Sequence, residues 1–103
     1  MANRNGYNPS IMQTYCSCYL CGRRDRKLDR HEIFGGANRS RSKADGLWVL
    51  LCHECHVGPN GVHENPARLL ELRKLGQLAA MERYGWSVGD FRRAYGKNYL
   101  EVN

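Results

Sequence analysis

The sequence lacks any long hydrophobic run. No stretch approaches the roughly 18 consecutive apolar residues that a membrane-spanning helix needs, and the first fifteen residues lack the apolar centre of a secretory signal. These absences argue against a membrane protein, and we expect a soluble protein of the cytoplasm. In such a reducing compartment, closely paired cysteines bind metal more often than they form disulfides.

The chain also has little apolar material from which to build a large core. Its 103 residues allow a single domain, and a core of that size often needs an additional staple. Internal repeats and low-complexity segments are absent, while 42% hydrophobic and 25% charged residues are ordinary values for a globular chain. We therefore expect one folded domain that something besides hydrophobic burial helps to stabilise.

Acidic residues are outnumbered, with ten Asp and Glu against sixteen Lys and Arg and a formal net charge of +6. Such a balance favours polyanionic partners, and nucleic acid is the first candidate. Eight basic and four acidic residues lie within residues 22–51, as phosphate-backbone binding would require. A solvated face that keeps the chain soluble is the alternative. The candidate DNA-binding residues are Arg23, Arg24, Arg39, Arg41 and Lys43.

Cysteine and histidine are absent from residues 64–103, so all five cysteines and all four histidines lie between Cys16 and His63. Four of the cysteines form two C-x-x-C pairs separated by thirty residues. Four thiolates in this arrangement fit a tetrahedral structural zinc ion. We interpret Cys16 as a spare thiol. The predicted zinc ligands are Cys18, Cys21, Cys52 and Cys55.

The local patterns predict two strands followed by two helices. A strand is expected around residues 28–34 and another at 46–51, with a mobile basic loop at 37–45 between them. Asn65-Pro66 matches a helix N-cap followed by proline, which predicts a helix over 66–84 that ends at Gly85. The segment Ser87-Val-Gly-Asp90 resembles a capping box that begins a shorter second helix.

Two motifs in this chain resemble the HNH, or His-Me finger, endonucleases: Leu28-Asp-Arg-His-Glu-Ile33 and Leu50-Leu-Cys-His-Glu-Cys-His56. The segment from His31 to Arg39 and the tail, with Gly96-Lys-Asn-Tyr-Leu100, are similar to small phage-encoded members. The resemblance implies a small α+β zinc-stabilised fold, a treble-clef-like ββα-metal finger with a C-terminal helical tail. Residues 1–15 would form an irregular arm, 16–63 the finger and 64–103 the helices packed on it.

The function that this resemblance implies is metal-dependent hydrolysis of DNA phosphodiester bonds in phage or prophage DNA metabolism. It implies two cofactors, a structural Zn²⁺ and one catalytic divalent ion (Mg²⁺, Mn²⁺ or Zn²⁺). A histidine near the end of the first strand would act as general base on water, a task that suits the pKa of imidazole.

The catalytic roles depend on how the motif is aligned. If Arg30-His31-Glu32 matches ligand, base and acidic follower, His31 is the base, and Asp29 or Glu32 replaces the metal ligand that Arg30 cannot supply. If His31-Glu32 matches ligand and base, His31 binds metal and Glu32 accepts the proton. His56 takes the family's metal-ligand position after the last cysteine.

Two further histidines are assigned less directly. His63 follows a turn that could fold it back toward His56, which makes it a possible third ligand; a helix contact or a phosphate-facing position is the alternative. We interpret His53 as a surface residue.

The chain departs from the family pattern at two positions. Asp45-Gly46 precedes Leu47, so the family's middle asparagine is missing, and Arg30 occupies the usual ligand position. An alternative function is therefore a weakly active or inactive zinc-dependent DNA-binding module of the same fold, and a weaker one is a zinc-stapled protein adaptor. Cleavage preference and oligomeric state stay open.

Overall fold

The computed structural model describes residues 6–100 of the chain. It is a small, compact α+β structure in which a two-stranded antiparallel sheet is surrounded by short helices. None of the helices among the described residues has the length and apolar character to cross a membrane. The elements are β1 (Leu28–Glu32), a 3-10 turn (Gly36–Asn38), α1 (Arg39–Ala44), β2 (Trp48–Cys52), α2 (His53–Val57), α3 (Pro66–Tyr84) and α4 (Val88–Tyr95).

The hairpin places chemically different residues on opposite sides of β1. In the antiparallel register, Asp29 lies opposite Leu51 and His31 lies opposite Val49. Because successive side chains of a strand point to opposite faces, Asp29 and His31 share one face, whereas Arg30 and Glu32 share the other. β2 then continues directly into α2, which brings His53 and His56 to Asp29 on the first face.

The connection between the strands is ordered as a 3-10 turn and α1, so the prediction of a mobile loop at 37–45 is wrong. Its fully buried Ser42 accepts a hydrogen bond from the backbone N–H of Phe34 and donates one to the carbonyl of Leu47. The hydroxyl of Tyr95 donates to the carboxylate of Asp45 at 2.7 Å. These side-chain contacts fix a segment whose local sequence carries no strong helical pattern.

The two C-terminal helices begin and end where the sequence predicts. The side chain of Asn65 accepts from the backbone N–H of Arg68, and Gly85 ends α3 in the left-handed conformation, with φ of 66°. Ser87 and Asp90 form the complete capping box of α4. These boundaries depend on interactions within a few residues, which is why local sequence predicts them.

The core lies where α3 and α4 pack against the end of β1. Phe34 contacts the rings of Phe91 and Tyr95, with centroids 5.4 and 4.7 Å apart. A Cβ added at Gly76 of α3 would lie 2.8 Å from Cγ2 of Ile33, so this helix approaches the strand more closely than an alanine would allow. The packing fixes the end of the strand that carries His31.

The N-terminal segment is docked on β2. The predicted irregular arm covers residues 1–15, and its described part, 6–15, contains no helix or strand. Even so, the hydroxyl of Ser10 donates to the carbonyl of Trp48 at 2.6 Å, and the side-chain oxygen of Gln13 accepts from the backbone N–H of Leu50 at 2.8 Å. This docking carries Tyr7 to the Arg30 and Glu32 face of β1.

Candidate metal centres at the hairpin

The four cysteines of the two pairs form one cluster that could hold a metal ion, consistent with a zinc site. The sulfur atoms of Cys18, Cys21, Cys52 and Cys55 all lie within 4.8 Å of one another. In the first pair, Gly22 has φ of 79° and its backbone N–H donates to the carbonyl of Cys18. Cys16 is exposed and lies outside the cluster.

The cysteines of the cluster differ in how readily they ionise. Burial raises the pKa of Cys18, but hydrogen bonds from the backbone outweigh that effect and lower the pKa to about 6. Burial and the neighbouring cysteine side chains raise the pKa of Cys55 to about 12. A bound cation would favour ionisation of all four thiols, so the donor set fits a metal ion.

Three histidines form a second cluster. His31 of β1, His56 of α2 and His63 of the following turn each place a ring nitrogen within 4.8 Å of the others. The Nε2 atoms of His56 and His63 are 3.1 Å apart. Two nitrogens bound to one ion at about 2.0–2.1 Å would lie roughly this far from each other. The predicted return of His63 toward His56 thus occurs in the structure.

His31 is the buried member of this cluster. Its side chain is 4% exposed, and its Nε2 atom has no hydrogen-bond partner within the described part of the chain. Burial lowers the pKa of His31 to about 3, and the positive charges of His56, His63 and Arg73 add to that effect. A buried nitrogen without a partner is costly in free energy, so its position beside two other imidazoles favours a ligand at that atom.

Asp29 lies behind His56 and is not a member of the histidine cluster. Its Oδ2 atom is 3.2 Å from Nδ1 of His56 and 3.3 Å from Nδ1 of His53. Burial raises the pKa of Asp29, but the bonds to these two histidines outweigh it and lower the pKa. Carboxylates commonly hold metal-binding histidines in this way. The structure therefore places this predicted ligand in contact with His56, outside the three-histidine cluster, and it places His53 on the surface with a contact to Asp29.

Glu32, the other predicted catalytic residue, is occupied by two partners. Its Oε2 atom accepts from the hydroxyl of Tyr7 at 2.5 Å, and its Oε1 atom is 2.8 Å from Nε of Arg39. The Glu32 side chain is only 11% exposed. Both of its oxygen atoms are engaged on the side of β1 away from Asp29.

A cavity of about 310 Å³ opens onto the histidine cluster. Its walls combine the three histidines with two arginines, one from β1 and one from the start of α1. A larger opening of about 510 Å³ lies between the N-terminal segment and Tyr84 and contains none of the histidines. The residues around the smaller cavity are Arg30, His31, Glu32, Gly35, Gly36, Arg39, His56 and His63.

The predicted DNA-binding residues divide into two groups. Arg23 and Arg24 are exposed before β1, and Arg23 is 4.0 Å from Glu54. Arg39, Arg41 and Lys43 lie on α1, where Arg39 reaches the cavity. The sequence analysis gives no indication that Tyr7 lies beside Arg30, because nothing local in the sequence indicates that the N-terminal segment docks beside the strand.

No family model, curated protein or solved structure matches the chain. Its function is therefore inferred from the two ligand clusters, the cavity and the charges around them.

Proposed function

We propose that the chain is a metal-dependent endonuclease of the HNH type that hydrolyses phosphodiester bonds in DNA. The observation that carries this proposal is the convergence of three histidine nitrogens in a cavity bordered by two arginines. Imidazole nitrogens are suitable ligands for several divalent metals, and arginine is suited to phosphate. The same small volume thus combines donors for a metal with donors for the substrate.

The histidines divide between metal binding and proton transfer. We assign His56 and His63 as metal ligands, because their Nε2 atoms are 3.1 Å apart and Asp29 fixes the His56 ring from behind. A divalent ion held there would offset the negative charge that develops at the scissile phosphate and the leaving oxygen.

His31 is our candidate for the residue that accepts the proton of the attacking water. Its buried Nε2 atom lacks a partner among residues 6–100, whereas both oxygens of Glu32 are engaged by Tyr7 and Arg39. A base needs an acceptor atom that no other group already engages. This contrast supports His31 over Glu32.

A DNA-binding module without cleavage is the second candidate function. The observation that favours it is the position of Arg30, which replaces the metal ligand of the family and lies over the ring of Tyr7, 4.4 Å from its centroid. If the remaining donors bind metal too weakly, the site would hold DNA without cutting it.

Plasmid cleavage by the zinc-loaded protein tests the proposal. We expect supercoiled DNA to be nicked or linearised with added Mg²⁺ or Mn²⁺, and to stay intact without them. His56→Ala should cut poorly and should be partly restored by excess metal, because mass action can offset a weakened site. Val57→Ala, an exposed change on the same helix, should cut normally. Failure of the wild type to cut with any divalent metal would leave the DNA-binding module as the function.

A further inference from the structure

The N-terminal segment places a buried tyrosine against two residues of the cavity wall, Arg30 and Glu32. Tyr7 is 8% exposed although it belongs to no helix or strand, and its ring contacts that of Trp48 edge-on, with the centroids 5.4 Å apart. Its hydroxyl donates to Glu32. Burial, and to a lesser extent the bond to Glu32, raises the pKa of Tyr7 to about 12. The hydroxyl therefore keeps the proton that it donates.

Two basic side chains lie against the ring of Tyr7. The guanidinium carbon of Arg30 is 4.4 Å from the ring centroid and 5.4 Å from that of Trp48. The ammonium nitrogen of Lys43 is 4.6 Å from the Tyr7 centroid. Aromatic rings attract cations at these distances, so Tyr7 restricts where both positive charges can lie.

Glu32 holds the other arginine of the cavity. Its contact with Arg39 uses Nε, whereas the four remaining N–H donors of a guanidinium are on its two terminal nitrogens. The Arg39 side chain is 64% exposed, so it is accessible to a ligand from solution. With three cations and a single carboxylate, the group of Arg30, Glu32, Arg39 and Lys43 keeps a positive charge that attracts anions.

We propose that Tyr7 and Glu32 are positioning residues that hold Arg30 and Arg39 as a phosphate clamp at the mouth of the histidine cavity. The clamp's ligand is the phosphodiester backbone of DNA, which arginine forks bind without selecting a sequence. This inference rests on the proposed function in taking DNA as the ligand. It makes the N-terminal segment part of the DNA-binding site and gives Glu32 a role other than that of base.

DNA binding without cleavage tests the clamp. A short fluorescently labelled duplex is titrated with zinc-loaded protein, without added Mg²⁺ or Mn²⁺, over a range of salt concentrations. Arg30→Gln should lower the slope of log affinity against log salt by about one, the effect of one lost phosphate contact. Tyr7→Leu should weaken binding about three- to tenfold, because the cations lose the ring. Tyr7→Phe, which retains the ring, should lose less DNA affinity than Tyr7→Leu. Tyr15→Leu, an exposed change in the same segment, should bind DNA as the wild type does.

A double-mutant cycle separates positioning from a general structural role. If Tyr7 acts through Arg30, Tyr7→Leu should lower DNA affinity by about twofold or less when it is added to Arg30→Gln. The clamp would be overturned if Tyr7→Leu lowered DNA affinity equally in the wild type and in Arg30→Gln. It would also be overturned if Arg30→Gln left the slope of log affinity against log salt unchanged. If Tyr7→Leu loses zinc or unfolds, the cycle is made with Tyr7→Phe and Arg39→Gln, because the hydroxyl that Tyr7→Phe removes acts on Arg39 through Glu32, and additive losses of DNA affinity in that cycle overturn the clamp.

The clamp and the proposed nuclease can fail separately. A wild type that cuts no plasmid but shows coupling between Tyr7 and Arg30 in DNA binding would retain the clamp and reject the nuclease. Metal-dependent cutting without that coupling would retain the nuclease and reject the clamp.

Discussion

At the scale of single residues, β1 separates two kinds of chemistry on its two faces. Asp29 and His31 contact His56 on one face. Arg30 and Glu32 contact Tyr7 on the other. A shift of one residue in matching the family motif therefore exchanges one face for the other. The contacts of Glu32 with Tyr7 and Arg39 support our proposal that His31, and not Glu32, accepts the proton of the attacking water.

Asp29→Asn tests the support of His56. We expect it to weaken binding of Mn²⁺ to the zinc-loaded protein about 10- to 100-fold, the usual effect of losing the partner of a metal-binding histidine. Isothermal titration calorimetry measures this affinity. Asp25→Asn is the matched control, because Asp25 is exposed and pairs with Arg26 at 3.6 Å. Unchanged Mn²⁺ affinity in Asp29→Asn would remove Asp29 from the metal centre.

At the scale of elements, local signals predict the helices of the tail but not the connection between the strands. The caps of α3 and α4 are formed by residues three positions apart, and sequence alone placed them. The hairpin connection is fixed by Asp45, whose carboxylate contacts Tyr95 fifty positions away. Sequence periodicity carries no information on such a contact, so the local sequence predicts a loop where α1 lies.

The cysteine pairs join the segment before β1 to the end of β2 and to α2, so a metal ion bound to them should stabilise the hairpin and α2 together. We expect Cys52→Ser to lose bound zinc and to unfold the hairpin, because zinc-binding free energy is folding free energy in such domains. Metal analysis and circular dichroism measure the two effects. Cys16→Ser, which changes the thiol outside the cluster, should retain both zinc and fold. Cleanly folded protein without zinc would contradict this account.

At the scale of the whole molecule, sequence predicts the clusters of candidate metal ligands better than it predicts the shape of the site. The cysteine spacing indicated a four-sulfur cluster, and the histidines near it were recognised as a second group. Tyr7 could not be assigned, because it lies 25 positions from Glu32 and only the folded N-terminal segment brings the two together.

The net charge of +6 should make DNA binding strongly dependent on salt. We expect affinity to fall steeply as ionic strength rises, because basic residues that contact phosphates release counterions. Changing Arg39 and Arg41 together to glutamine should weaken binding to a similar extent on unrelated sequences. Changing Arg92 and Arg93 on α4 to glutamine removes the same amount of charge and should weaken DNA binding less than the change of Arg39 and Arg41 does. Binding that ignores salt, or a loss confined to one sequence, would be incompatible with backbone recognition.

The comparison of His31→Ala with the wild type in metal-dependent plasmid cleavage tests the central claim most directly. We expect this variant to keep its zinc, its fold and its DNA affinity but to lose cleavage by at least about a hundredfold, the usual contribution of a positioned base. Glu32→Gln should bind DNA less tightly yet keep most of its turnover rate when DNA is saturating. Cleavage by His31→Ala at the rate of the wild type, or a loss of turnover in Glu32→Gln as deep as that in His31→Ala, would contradict the assignment of His31.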